Sequence, residues 1–274
     1  MPSELGVALA VLLRNWRTLR RYPVSLFGLV LLPLYQVVLP SLLLGATFSV
    51  GGRALGLLRT GGTSDLSAFL FLGAFVTCLT FGAFWGTSLV VSAQVNSGSL
   101  ESGWLTPASR SGLALGEALS AMAMASIAGL ILLAVGSLVF GARYLPALAA
   151  AAPVLLVAMV GMVGVSYAVA ASVLWLRDAT FLVDAGSFLF AAASGAMLPV
   201  AILPLGLRLL ALALPTTYAA DLMRSGALGA PSLFPTLTEL GLLALTSVAL
   251  LVLGRALFAL AVRRVLREGT LSGH

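Results

Sequence analysis

Long intervals without acidic or basic residues follow one another along the chain and predict membrane-spanning helices. A helix of about 20 residues crosses a hydrocarbon core about 30 Å thick. The intervals lie at residues 22–52, 66–100, 118–142, 144–176, 185–207 and 240–262, and of these only the last contains a charge, Arg255. A charge at the centre of a span costs about 2.5–3.5 kcal/mol. We therefore expect an all-α membrane protein with six transmembrane helices, at residues 24–48, 66–93, 112–140, 153–175, 185–203 and 240–262.

Residues 3–21 predict an amphipathic interfacial helix at the inner membrane surface. Arg14, Arg17 and Arg21 gather on one side of a helical wheel, and Trp16 lies on another. Such a helix sinks its apolar side into the acyl boundary and holds its arginines against anionic headgroups of membrane lipid. A simpler alternative is a basic flank that only orients the first span. The predicted apolar side consists of Leu5, Leu9, Leu12, Trp16 and Leu19.

Three prolines break the chain after the fifth span: Pro199, Pro204 and Pro215. The apolar piece at residues 205–214 would reach only about 15 Å as a helix, half of the hydrocarbon core. A seventh crossing would also place the arginines of the C-terminal tail outside, against the positive-inside rule. We therefore expect a broken, re-entrant region at residues 199–224, in which Asp221 pairs with Arg224 near the outer interface.

The amino-acid composition favours a membrane protein over a soluble one. Of the 274 residues, 60% are apolar and 9% are charged, whereas a soluble domain carries about a quarter charged residues. A set of buried helices in a large soluble protein is the alternative. The net charge of +6 does not indicate a nucleic-acid-binding protein, because the 15 basic residues are arginines spread over the predicted helix ends. More of these arginines fall on inner than on outer segments, which favours cytoplasmic termini.

No constellation typical of an enzyme is found. The sequence contains no lysine, and a P-loop needs one to hold the terminal phosphates, so we expect the chain not to hydrolyse ATP. An intramembrane enzyme is a further alternative, but no paired intramembrane aspartates or metalloprotease motif support it. Cys78 is the lone cysteine and can build no disulfide or cysteine-based metal site within one chain. We expect no catalytic residue, no metal and no cofactor bound by this chain.

Acidic residues inside or beside a membrane are expensive to bury and are therefore functional candidates. Glu117 and Asp184 lie one or two turns inside their predicted helices near the cytoplasmic side. A partner protein, Arg110 or Arg177 could neutralise them there. A proton relay is the alternative, although no acid is predicted at mid-depth.

The inner loop at residues 97–110 carries the most specific motif, SGSLESGWLTPASR. A serine at its start can cap a short helix that Pro107 ends. Leu100, Trp104 and Leu105 would share one side of that helix, and an exposed apolar knob of this kind indicates docking to another protein. The alternative is a turn whose aromatic residue anchors at the headgroups.

This loop resembles the Glu-Gly-Thr-Leu-Glu-x-Leu-x-x-Thr/Ser-Pro-x-Ser-Arg element of type-2 ATP-binding-cassette (ABC) exporter permeases, a group that includes daunorubicin-type drug efflux permeases. Residues 115–117 are similar to the family's Leu-Gly-Lys, with an acid in place of the base. Residues 197–224 resemble its broken outer segment. The chain departs from the family pattern at residues 94–97 and at Leu214. The loop residues that match in order are Gly98, Ser99, Leu100, Glu101, Leu105, Thr106, Pro107, Ser109 and Arg110.

The resemblance implies that residues 97–110 are a coupling helix that sits in a groove of a separate ATPase subunit. ATP and Mg would be bound by that subunit, and a second permease copy or a homologous permease would complete the pore. It further implies a multi-pass protein of the bacterial inner membrane with both termini in the cytoplasm. The residues expected at the ATPase contact are Leu100, Glu101, Trp104, Leu105, Thr106, Pro107 and Arg110.

We expect the chain to export an amphiphilic small molecule or a lipid-like substrate, as in multidrug efflux. A non-transporting membrane scaffold or assembly factor is the alternative. An apolar path with few polar anchors would suit such a substrate, although aromatic residues more commonly face lipid or the core. The residues proposed to line this path are Tyr35, Gln36, Phe84, Trp85, Phe188 and Phe190.

Overall fold

The computed structural model describes residues 3–21, 55–63, 65–97, 108–140, 145–176 and 179–268, together with positions 28, 31, 34, 35, 39, 43 and 104. All regular structure in these residues is helical. The predicted first span, residues 24–48, lies outside the described residues apart from single positions. In chain order the helices are α1 (Glu4–Arg21), α2 (Leu55–Gly61), α3 (Leu66–Asn96), α4 (Arg110–Phe140), α5 (Leu145–Leu176), α6 (Thr180–Ala193), α7 (Leu205–Ala213), α8 (Pro215–Leu228) and α9 (Thr236–Glu268).

Four helices in the described part of the chain are long and apolar enough to cross a membrane: α3, α4, α5 and α9. They correspond to four of the six predicted spans. The last three of them contain 31, 32 and 33 residues, or about 46–50 Å at 1.5 Å per residue. These lengths exceed the hydrocarbon thickness. Each helix also extends past the bounds of its predicted span, and α5 begins well before Pro153, which lies inside it.

The apolar core lies mainly among α3, α4 and α5. Almost every residue in the first half of α3 is buried, so this helix occupies the centre of the bundle. By contrast, α9 leaves one long apolar face uncovered, including Leu245, Val252 and Leu260. A face of this length is typical of contact with lipid or with another membrane subunit.

A π-helical turn at Gly82–Gly86 interrupts the α-helical winding of α3. The turn faces α4, where a Cβ atom added to Gly82 would lie 2.5 Å from the Cβ of Ala125. The small residues of the turn therefore mark a close helix crossing. On the α5 side, the Ser166 hydroxyl donates to the carbonyl of Ala83 within the turn, at 3.3 Å.

The predicted fifth span, residues 185–203, has different bounds in the structure. Helix α6 begins at Thr180 and ends at Ala193, and its 14 residues reach only about 21 Å. The helix ends before Pro199 because Gly195 adopts a φ of +72°, a left-handed conformation that favours glycine. The helix in this region therefore begins before the predicted span at residues 185–203 and ends ten residues short of its predicted end.

Region 199–224, predicted to be re-entrant, contains a short turn and two helices. A 3-10 turn at Val200–Ile202 precedes α7, which has nine residues and matches the predicted short piece. Pro215 then occupies the first turn of α8, where its missing N–H costs nothing. Residues 215–220 at the start of α8 are all buried, and this helix packs against α3, α5 and α9.

Helices α5 and α9 touch backbone to backbone. A Cβ atom added to Gly254 would lie 1.9 Å from the carbonyl oxygen of Gly164, and one added to Gly164 would lie 2.3 Å from that of Leu250. Since side chains here would overlap the opposite backbone, glycine sets the separation of the two helices.

We expect Gly254→Ala to destabilise the protein by about 1–3 kcal/mol, because the added methyl group overpacks the contact with Gly164. Thermal unfolding of the purified protein in detergent measures the effect. Gly241→Ala on the same helix is the matched control, since a Cβ atom there meets no atom within 4 Å and alanine is the better helix former. Equal melting temperatures for the two variants would contradict the described contact.

Candidate functional site

Helix α1 packs along the first turns of α4. The contact forms at two glycines of α4, where a Cβ atom added to Gly116 would lie 2.5 Å from the Cβ of Val11. At Gly112 the corresponding distance to the Cβ of Val7 is 3.1 Å. Because neither glycine has a side chain, the two helices approach closely enough for polar groups on both to meet.

The amphipathic helix predicted at residues 3–21 is present, but it has two apolar sides. Val7, Ala8, Val11 and Leu19 are buried against the protein. The second side is exposed. The helical wheel groups Leu19 with this exposed side, but in the structure Leu19 is buried. A wheel cannot separate these sides, because protein and lipid both favour apolar residues. The exposed apolar side consists of Leu5, Leu9, Leu13 and Trp16.

Glu117 of α4 connects α1 to the end of α3. Its Oε1 accepts hydrogen bonds from Arg14 Nη2 at 2.5 Å and Gln94 Nε2 at 3.0 Å, and its Oε2 accepts one from Asn15 Nδ2 at 2.7 Å. The Glu117 side chain is 5% exposed and that of Arg14 is 58% exposed. These donors compensate the burial of a carboxylate that would otherwise be costly.

The neutralising partner of Glu117 is therefore Arg14, and not Arg110 as the sequence allowed. Arg177 lies outside the described residues. The sequence predicts Arg14 at the headgroups and gives no role to Asn15 or Gln94. The sequence carries one indication of this network: Gln94 is a polar residue within a long apolar helix.

Glu4 forms a second link, between α1, α4 and α9. Arg255 Nη2 of α9 donates to both carboxylate oxygens of Glu4, at 3.1 and 3.3 Å. Ser111 Oγ donates to Oε1 of the same side chain. The hydrogen bond from Ser111, supported by the Arg255 charge, holds the pKa of Glu4 below its usual range. Tyr167 of α5 donates its hydroxyl to the Ser111 carbonyl oxygen at 2.9 Å, so four helices meet here.

Only part of the predicted coupling loop, residues 97–110, falls within the described residues. Trp104 is helical and half-buried against the core, rather than standing fully exposed on a knob. The Arg110 guanidinium lies over its ring, 5.1 Å from the centroid, in a cation–π contact. The predicted site residues outside the described part are Gln36, Leu100, Glu101, Leu105, Thr106 and Pro107.

The aromatic residues proposed for a substrate path pack between α3 and α6. The Phe84 ring meets Phe190 edge to face, with centroids 5.1 Å apart, and Phe188 meets Phe81 in the same manner at 6.0 Å. Phe84 is buried, whereas Phe188 is exposed. These contacts join α6 to the π-helical turn of α3. The remaining described members of the set are half-buried Trp85 and exposed Tyr35.

At the opposite end of the bundle, buried Arg224 of α8 holds three segments together. Its Nη1 donates to the Gly195 carbonyl at 2.7 Å, and its Nη2 donates to the carbonyls of Ala196 at 2.7 Å and Phe69 at 3.1 Å. The guanidinium also stacks on the Phe69 ring, 3.4 Å from the centroid. Gly73 makes this possible, because a Cβ atom there would lie 1.9 Å from the Ala196 carbonyl oxygen.

Asp221, the predicted partner of Arg224 near the outer interface, is close enough for its negative charge to act on the guanidinium, but the hydrogen bonds of Arg224 go elsewhere. Arg224 is 5% exposed and bonds to backbone carbonyls, since the chain that leaves α6 offers acceptors without helical partners. Asp221 Oδ2 accepts the backbone N–H of Leu233 at 2.7 Å. Glu239, buried at the start of α9 beside Asp221, was likewise not singled out from the sequence.

Comparison with known families identifies one match. The sequence profile of the family described as ABC-2 type transporter matches residues 8–228, which run from α1 to the last residue of α8. None of the curated proteins compared with the chain matches it. The matched stretch includes Glu117 with its three donors and Arg224 with its carbonyls, whereas Glu4 and Arg255 lie outside it.

We expect Glu117→Gln to destabilise the protein by about 1–3 kcal/mol, since the amide places a donor among three donors and leaves buried groups unsatisfied. Thermal unfolding in detergent at neutral pH measures the loss. Glu4→Gln is the matched control, because Glu4 is 42% exposed and an exposed pair contributes about 0.2–1 kcal/mol. A smaller loss for Glu117→Gln than for Glu4→Gln would contradict the described network.

The contribution of Glu4 should depend on pH. Because the pKa of Glu4 is lowered in the folded protein, its stabilising effect is present above the pKa of an unfolded glutamate and is lost as the pH falls through the folded pKa. Wild type and Glu4→Gln should therefore differ in unfolding temperature at neutral pH and converge in acid. A difference that grows as the pH falls would show that the sign is wrong.

Proposed function

Since the chain belongs to the ABC-2 type transporter family, whose members are multi-pass membrane permeases, we propose that it is the membrane-spanning subunit of an ATP-driven exporter. It moves an amphiphilic small molecule or a lipid-like substrate out of the cytoplasm, a role within multidrug efflux. A separate ATPase subunit binds ATP and Mg and supplies the energy. Two permease chains, either two copies or this chain with a homologous permease, enclose the path in the bacterial inner membrane, with both termini in the cytoplasm.

The network around Glu117 is the observation that carries this proposal. Gln94 lies less than one turn before residues 97–110, and Glu117 lies two turns after them. The carboxylate of Glu117 therefore ties both ends of the proposed coupling loop to each other and to α1. When the ATPase subunits close and push on the loop, these three segments move as one rigid body.

Helix α3 supplies a continuous connection from this network to the other end of the bundle. One end of α3 holds Glu117 through Gln94, and the other end holds Arg224 through the Phe69 carbonyl. Arg224 in turn fixes the chain that leaves α6. A displacement of α3 at the loop is therefore passed to α6 and α8 through packed elements and not through a flexible link.

The exposed apolar surface of α6 supports the proposed substrate class. Phe181, Phe188 and Leu189 of this helix are large, apolar and exposed, and Phe188 was among the residues proposed for the path. A surface of this kind accepts hydrocarbon and offers few hydrogen bonds, which suits amphiphiles better than polar solutes.

We expect Trp104→Ala and Leu105→Asp each to weaken ATPase binding about tenfold or more, since an aromatic anchor and an adjacent apolar side chain dominate most docking contacts. Both variants should lose substrate-dependent ATP hydrolysis and ATP-driven transport of a fluorescent amphiphile into inside-out vesicles. The measurement uses the full permease purified together with its ATPase subunit.

Trp175→Ala is the matched control, because Trp175 is an exposed tryptophan at the end of α5 and lies outside the loop. It should retain ATPase binding and export. Export by the permease with no ATPase bound, or unchanged coupling in both loop variants, would overturn the proposed function.

A further inference from the structure

A half-open groove of about 150 Å³ lies between α1 and α4. Leu12, Leu13 and Trp16 of α1 form one wall, and Ala123 and Met124 of α4 form the other. The groove exists because alanine is small where the opposite wall carries leucine and tryptophan. An enclosed apolar cavity of about this volume holds a benzene-sized hydrocarbon in other proteins, so the groove has room for a short piece of an apolar chain.

The polar side chains that border the groove are already bonded within the protein. Asn15 donates to the Glu117 carboxylate at 2.7 Å, and Ser120 donates its hydroxyl to the Gly116 carbonyl at 2.7 Å. The surface that remains is hydrocarbon. An occupant therefore needs an apolar segment and gains no hydrogen bond from the groove itself.

Positive charge lies at one end of the groove. Arg17 and Arg20 follow Leu13 and Trp16 by one helical turn, so they extend the same side of α1, and both are exposed. Glu4, the sole acid in the α1 sequence, lies at the other end of the helix and is bonded to Arg255. Glu117 is buried and neutralised by Arg14. A negative group at this end therefore meets two arginines and no exposed carboxylate of α1.

We propose that an anionic phospholipid binds in this groove, with part of an acyl chain between α1 and α4 and its phosphate against Arg17 and Arg20. The apolar wall selects the chain, and the two arginines select the charge of the headgroup. The lipid fills a gap in the packing of α1 on α4 beside the Glu117 network. This binding requires neither ATP nor an ATPase subunit, so its test is independent of the proposed export function.

Trp16 provides a direct probe, because brominated acyl chains quench a tryptophan that they touch. The full-length protein is reconstituted in phosphatidylcholine vesicles that contain increasing fractions of brominated phosphatidylglycerol or brominated phosphatidylcholine. The difference between wild type and Trp16→Phe isolates the Trp16 signal from the other tryptophans. We expect half-maximal quenching at a roughly tenfold lower fraction of the anionic lipid, as two nearby arginines favour it.

Two variants test the site and two test its specificity. Ala123→Leu fills the groove, and Arg17→Gln with Arg20→Gln removes the charge, so each should abolish the anionic preference. Ala134→Leu makes the same change on α4 outside the groove, and Arg263→Gln with Arg267→Gln removes the same charge from exposed positions of α9. Both controls should keep the preference.

The possible results decide between a bound lipid and ordinary bilayer contact. Equal quenching by the two lipids in wild type, or a preference that survives Ala123→Leu, would overturn the proposal. Loss of the preference in the α9 control would also overturn it, because a general effect of net charge would then suffice. If Ala123→Leu fails to fold, as judged by thermal unfolding, the exposed Arg17 and Arg20 pair still decides the result.

Discussion

A buried carboxylate needs donors, and at one end of this bundle that requirement fixes how three helices meet. Glu117 lies inside an apolar surrounding, where an unpaired charge costs several kcal/mol. Its donors come from α1 and α3. If α4 separated from either helix, the Glu117 carboxylate would become exposed to solvent or would remain buried with fewer donors. Arg14 remains half in contact with solvent, which spares the pair part of the desolvation penalty. The glycines of α4 at positions 112 and 116 bring α1 close enough for this geometry.

The opposite end uses the same physics with the charges reversed. Arg224 is a buried cation, and its partners are the carbonyl oxygens of Gly195 and Ala196, just after α6 ends, and the carbonyl oxygen of Phe69 in the first turns of α3. Carbonyls at a helix C-terminus carry partial negative charge, so a guanidinium is well matched to them. Both clusters touch α3, and this helix is therefore held at its two ends while its middle packs on all sides.

Much of the helical architecture could be predicted from the sequence, because hydrocarbon excludes charge and each long helix contains a long stretch with one charged residue or none. The bounds were less predictable. Pro153 suggested a helix start, yet α5 continues through it, and Gly195 ends α6 earlier than the prolines indicated. The predicted loop at residues 97–110 falls largely outside the described residues, so its assignment still rests on the sequence motif.

The partners at the two charged clusters could not be predicted from local sequence. Arg14 and Glu117 are 103 positions apart, and no helical periodicity connects them. Asp221 is close to Arg224 in sequence and was the predicted partner, but the hydrogen bonds of Arg224 go to the carbonyls that follow α6. A helical wheel of α1 also combined the side that contacts α4 with the side that is exposed.

The π-helical turn of α3 has a geometric consequence for the two clusters. A π turn holds one residue more than the α-helical winding it replaces, so the residues after it are out of phase with those before it by about 100°. Phe69 and Gln94 lie on opposite sides of Gly82–Gly86 and therefore point in directions that a uniform α-helix of this sequence would not allow. If that single turn became α-helical, Gln94 would rotate about the helix axis relative to Phe69, while α3 would keep nearly its full length.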